Sequence, residues 1–176
     1  MITNIKDNLA EYLVKKKFSQ KQNSEKNFQN FFSESKKILI LLPTTKTSLI
    51  EEVIEIIKFF AIHKKELFII QSKDQFSFLP NDFKYSSLII NEEDKTAIGL
   101  PNKELVKRVK KHTFDLIVDL NRDSDLFSIA LANIPLADFR VGFVKNDSDF
   151  YYNFQIPNEI NPEKSYRNLL NSLRMF

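Results

Sequence analysis

Asp119, Arg122, Asp123 and Asp125 crowd the end of the apolar run FDLIVDL (114–120). In an open α/β sheet, ligands bind beyond the carboxyl ends of the strands. Carboxylates gathered there can share a proton as an acid–base pair or hold a divalent ion. Asp119 is therefore a candidate general base, and Arg122 and Asp123 are candidate ligand contacts. The competing role is local: Asp123 or Ser124 starts a helix and Arg122 is a solvated partner.

A second candidate follows another apolar run. Thr44, Thr45, Lys46, Thr47 and Ser48 place hydroxyls and a cation where a helix begins. Unsatisfied N–H groups at such a position can receive an anion. Ser48 and Glu51 have the spacing of a capping box, which gives the stretch an ordinary structural reading.

Two basic stretches stand out, Lys15, Lys16 and Lys17, and Lys103, Lys107, Arg108, Lys110 and Lys111 beside His112. Cations along one helix side can follow a nucleic-acid backbone or an anionic surface, or can be a solvated face. Neither His63 nor His112 has a ligating residue at the spacing of a zinc-binding helix, so structural roles are expected and no metal or cofactor is assigned. Phe28, Phe31 and Phe32, with Phe150, Tyr151 and Tyr152, lie outside the expected core elements and are candidate partner anchors.

Residues 2–17 carry Ile2, Ile5, Leu9, Tyr12 and Leu13 at helical spacing, with cations in the last turn. The Phe28–Phe32 stretch reads as a second docking element. Ile38 to Leu42 is a continuous apolar run, as in a strand covered on both faces. A helix follows to about His63, its stripe being Ile50, Val53, Ile54, Ile57 and Ala61. Strands are expected at 67–70, 87–90, 114–120 and 139–143, with 150–156 an edge strand or a long loop. Between them lie helices over 103–111, capped by Asn102, and from Asp123 or Ser124 to Asn133. Asn161 caps a last helix with Pro162 at its first position. Strands separated by helix-length segments give parallel βαβ units. The expected fold is a three-layer, Rossmann-like α/β domain over 37–176, with a mostly parallel sheet of five or six strands. Residues 1–36 form a helical extension.

The chain has 176 residues, a net charge of +3 and a mean hydropathy of −0.29. No apolar run approaches the ~18 residues of a membrane span, and the N-terminus does not read as a secretory signal. A cytoplasmic protein is expected. The absence of cysteine removes thiolate chemistry and disulfides. Only Gly99 and Gly142 are glycine, so no glycine-rich phosphate loop is present.

The segment FDLIVDLNRDSDLFSIALANIPLADFRVGF (114–143) resembles the ADP-heptose:lipopolysaccharide heptosyltransferases, glycosyltransferase family nine. Arg140, Gly142 and Phe143 match the family's Arg-x-Gly-Phe ending. KKILIL resembles its first strand, and NPEKSYRNLLNSL sits where the family has the helix before its second domain. The resemblance covers 36–176 and implies the acceptor-side half alone. The family's first loop carries Gly-Asp, whose Asp is the proposed base. Here the loop reads PTTKTSLIEE, and the first acids are Glu51 and Glu52. The resemblance thus implies a non-catalytic relative of the acceptor half that binds a protein partner, through the N-terminal extension. The alternatives are one half of a split glycosyltransferase with Glu51 or Asp119 as base, and an RNA or anionic-surface binder acting through the lysine clusters.

Overall fold

Two all-aliphatic runs, ILILL (38–42) and LIV (116–118), fix the centre of the molecule, because strands with no polar face must be covered on both sides. The computed structural model describes residues 2–18, 27–44, 50–73, 75, 79, 82 and 84–176. Its strands are β1 (Lys37–Leu41), β2 (Glu66–Ser72), β3 (Ser86–Ile90), β4 (Thr113–Asp119), β5 (Leu136–Phe143) and β6 (Phe154–Ile156). They form one six-stranded sheet in the order β3-β2-β1-β4-β5-β6. Every strand pairing is parallel. The α/β class expected from the sequence is thus observed, with the edge-strand reading of 150–156 realised in β6.

The helices are α1 (Ile2–Phe18), the single turn α2 (Phe31–Glu34), α3 (Ile50–Ile62), α4 (Lys103–Lys110), α5 (Leu126–Asn133) and α6 (Pro162–Leu173). One face of the sheet is packed by α2, α3 and α6, through Val53, Ile56, Ile57, Phe60, Tyr166, Leu169 and Leu173. The other is packed by α4 and α5, with Ala10 and Val14 of α1 joining them. The buried stripe of α3 is rotated slightly from expectation: Ile56 and Phe60 are buried while Ile54 and Ala61 are half-buried. Asn102 and Asn161 cap α4 and α6 as expected, accepting from Leu105 N and Glu163 N.

The first helix departs from its sequence pattern. Leu9 and Tyr12 are 47% and 58% exposed, whereas Ala10 and Val14 are buried. The helix packs on α5, whose residues from Phe127 to Asn133 are all buried. Ala10 has a side chain small enough to let two helices close together, and Val14 lies one turn further along the same face.

The Phe28, Phe31 and Phe32 trio is also corrected. Phe31 and Phe32 are buried in the protein's own core, with Phe28 packed against them. Phe31 lies 5.1 Å from Phe139, 5.4 Å from Phe154 and 4.9 Å from Phe176 between ring centroids, while Phe32 stacks on Phe59 at 5.0 Å. Phe28 and Phe31 fill space under β5 and β6 and Phe32 packs on α3, instead of facing a partner, because their apolar area is worth more buried than solvated. Residues on both sides of position 19 therefore contribute to the core of the domain they were expected to extend. Among the described residues, no helix is long and apolar enough to cross a membrane.

Candidate functional site

Strand order reverses between β1 and β4, and the crevice beyond their carboxyl ends is where a Rossmann-like sheet offers a site. The chain fills this place with its own side chains. Asp119, the last residue of β4, is fully buried. Its Oδ1 accepts from Asn121 N at 3.0 Å and Asn121 Nδ2 at 2.7 Å. Its Oδ2 accepts from Lys145 Nζ at 3.0 Å and from the Tyr152 hydroxyl. Lys145, just beyond β5, is only 4% exposed in its side chain and donates again to Asn121 O at 2.9 Å.

Asn121 carries the network across to β1. Its Oδ1 accepts from Thr44 N at 2.7 Å and from Thr44 Oγ1 at 3.2 Å, and its Nδ2 also donates to Leu42 O at 3.3 Å. Burial, with the Asp119 carboxylate beside it, pushes the Tyr152 hydroxyl well above its usual range. It therefore stays protonated and donates. Tyr166 closes the other side by donating to Leu120 O at 2.9 Å, and burial pushes its hydroxyl up as well.

A carboxylate with both oxygens engaged by donors and no contact with solvent holds strands together. Abstracting a substrate proton would require breaking a buried ion pair, a change on the order of 3–5 kcal/mol. Asp119 is thus corrected from candidate base to brace. The acidic cluster expected around it is likewise dispersed. Asp125, rather than Asp123 or Ser124, caps α5 by accepting from Phe127 N at 3.3 Å and Ser128 N at 3.1 Å. Asp125 itself is extended, and the chain turns helical only after it. Asp123 is exposed. Arg122 binds Asn158 Oδ1 at 2.9 Å and the Glu159 carbonyl, tying the β4 loop to the segment before α6. No group of three His, Asp or Glu residues able to hold a metal ion occurs among the described residues.

Of the anion-loop candidates, Thr44 is exposed and bonded to Asn121 as above, whereas Thr45, Lys46, Thr47 and Ser48 lie outside the described residues. The Ser48 half of the proposed capping box lies there too. Glu51 is exposed on the first turn of α3.

The basic stretches are separated by the fold. Lys15 pairs with Glu11 at 3.2 Å and with Asp147, in the loop beyond β5, at 2.7 Å. Lys16 lies over the Tyr12 ring and Lys17 is exposed. Lys107 pairs with Glu104 at 2.9 Å and Arg108 with Asp94 at 3.3 Å. Lys110 and Lys111 are exposed just before β4 begins. One cluster therefore sits toward the carboxyl edge of the sheet and the other ends at its amino edge. Of the remaining aromatic candidates, Tyr151 and Tyr152 are buried and only Phe150, 52% exposed, faces solvent.

The residues carrying the family resemblance all have structural work. Arg140 donates from Nε to Ala132 O at 3.0 Å, from Nη1 to Ala137 O at 3.0 Å and from Nη2 to Pro135 O at 2.8 Å, clamping the turn from α5 into β5. Burial pulls its guanidinium down to about 10. Gly142 lies against the Tyr152 ring, and Phe143 is in the core. Sequence reasoning overlooked Lys145 and Asn121. Residues just past each parallel strand are the signal that finds them, since all such positions share one edge of the sheet.

A family model matches residues 6–173 and is described as a family of unknown function, DUF6913. No curated protein and no solved structure gives a significant match. The match takes in most of α1 together with the whole sheet and all of α6, so the helical N-terminus and the α/β domain are one family unit, and the chain belongs to the DUF6913 family of unknown function.

Proposed function

We propose that this chain is a non-catalytic, single-domain relative of the heptosyltransferase acceptor half, and that it works by holding a protein partner. The observation that supports this reading is the self-filled switch point. Where a Rossmann-like enzyme needs an open crevice, Asp119, Asn121, Lys145 and Tyr152 bond to one another. Opening that crevice would strand a buried carboxylate and a buried ammonium at once.

The test has two arms. Calorimetric titration of the full chain with ADP-sugars is expected to give no binding heat. Native mass spectrometry of the chain isolated from its own cells is expected to show a stoichiometric assembly with another polypeptide. Steady turnover of a nucleotide sugar by the purified chain would overturn the proposal.

A further inference from the structure

The amino edge of the sheet collects cations that are far apart in sequence. Lys64 precedes β2, Lys36 precedes β1, and Lys110 and Lys111 precede β4, and these strands are neighbours in that order. The strand starts are tied together: Glu66 N donates to Lys36 O at 2.8 Å, and Lys36 N donates to the Asp115 carboxylate at 2.8 Å. All four lysine side chains are exposed. Among the described residues, no ion pair engages any of them.

The nearby charges are already occupied. Glu66 pairs with Lys37 at 3.7 Å, and Asp115 takes the backbone amides of Lys36 and Lys37, each at 2.8 Å. Lys65 donates to Phe32 O and Ser33 O at 2.7 and 3.0 Å, and burial pulls its ammonium down. The lysine row is bracketed by two large aliphatic side chains. Ile62, ending α3, is 77% exposed, and Leu136, opening β5, is 73% exposed.

Resting on the partner-holding reading, we propose that this edge receives an acidic segment of a partner protein, carboxylates over the lysine row and an apolar residue at each end. From β2 across β1 and β4 to β5, which Leu136 opens, the strand ends span about 14 Å at the usual strand spacing, the length of about four or five extended residues. The exposed aliphatics decide between ligand classes. A nucleic-acid backbone would satisfy the lysines and leave Ile62 and Leu136 wet, whereas a peptide with apolar ends covers them.

The experiment is fluorescence anisotropy of the full chain with a fluorescein-labelled peptide of consecutive glutamates flanked by leucines. Saturable binding that weakens with added salt is expected. The variant Lys36→Glu/Lys64→Glu/Lys110→Glu should weaken it by about tenfold or more, since three attractive charge contacts become repulsive at once. Lys16→Glu/Lys103→Glu, which changes exposed cations off the row, should leave it unaltered. Ile62→Asp should also weaken binding, and circular dichroism should show both row variants folded. Failure of the wild-type chain to bind, or binding unaffected by the triple reversal, overturns the proposal. Preferential binding of a labelled poly-dT strand, lost in the same variant, overturns it in favour of nucleic acid. A native assembly that survives the triple reversal overturns this surface while leaving the partner-holding reading intact.

Discussion

The Tyr152 ring occupies the space that a side chain on Gly142 would need: a Cβ built there would stand 2.7 to 2.9 Å from three ring carbons. Gly142 follows Val141, which is in register with Val118 on β4, so the ring crosses β5 beside the end of β4 and delivers its hydroxyl to Asp119. The absence of one Cβ is thus a condition for the buried network at the switch point.

Gly142→Ala should therefore destabilise the fold by about 1–3 kcal/mol through overpacking. In a Tyr152→Ala background the same change should cost much less, because the clashing ring is gone. Urea denaturation of the single and double variants measures the difference, and equal costs in both backgrounds would refute the contact as the cause.

Lys145→Met should cost about 3–5 kcal/mol, since it leaves the Asp119 carboxylate buried without its cation. Lys145→Met/Asp119→Asn should be less destabilised than the sum of the single changes, with a coupling of about 0.5–3 kcal/mol. A double-mutant cycle in denaturant checks it; strict additivity would show that the pair is not coupled.

The buried hydroxyls give a sign for alkaline pH. Tyr152 and Tyr166 are raised above the usual 10.0 in the folded state, chiefly by burial. Above that pH the unfolded chain loses phenolic protons that the folded chain keeps, so stability falls as pH rises. Arg140, held down at about 10, acts in the opposite direction there. The difference between wild type and Tyr152→Phe isolates the tyrosine: the variant should lose stability less steeply, by up to about 1.4 kcal/mol per pH unit. Parallel curves would contradict this.

On α1, Val14→Ala should cost about 2 kcal/mol, since Val14 is fully buried against the α5 side of the core. Leu9→Ser and Tyr12→Ser should change stability by no more than about 0.5 kcal/mol, as ordinary surface substitutions do. Thermal melts of the three variants test whether α1 is seated as observed; the reverse ranking would mean it is rotated.

The Asp125 cap is tested by Asp125→Ala, which should cost about 1 kcal/mol, while Asp123→Ala and Ser124→Ala remain near neutral. Chemical denaturation separates them, and a larger loss at Asp123 would restore the earlier helix start.

Strands were legible in this sequence where apolar residues run without interruption. Ile38–Leu42 and Leu116–Val118 can only be covered on both faces, and that alone implies parallel strands with helices on either side. Local chemistry was legible too: Asn102, Asn161 and Pro162 act on neighbours within a turn, so spacing suffices to read them. Helix facing was less so. Leu9 and Tyr12 have the right period, yet Ala10 and Val14 are buried, because the shape of α5 selects the side that packs closest.

The site depended on contacts that no linear pattern records. Asp119 lies 26 residues from Lys145 and 33 from Tyr152, and they meet because β4 and β5 are neighbours and Gly142 leaves room for a ring. The same holds for the lysines at the amino edge, which become a row only when β2, β1 and β4 are set side by side. By itself the sequence determined which segments form strands and helices, since hydrophobic period and capping act over a few residues. Which carboxylate is buried, which aromatic rings are core and which cations face solvent together were decided by tertiary structure, because burial and charge pairing depend on distance in space.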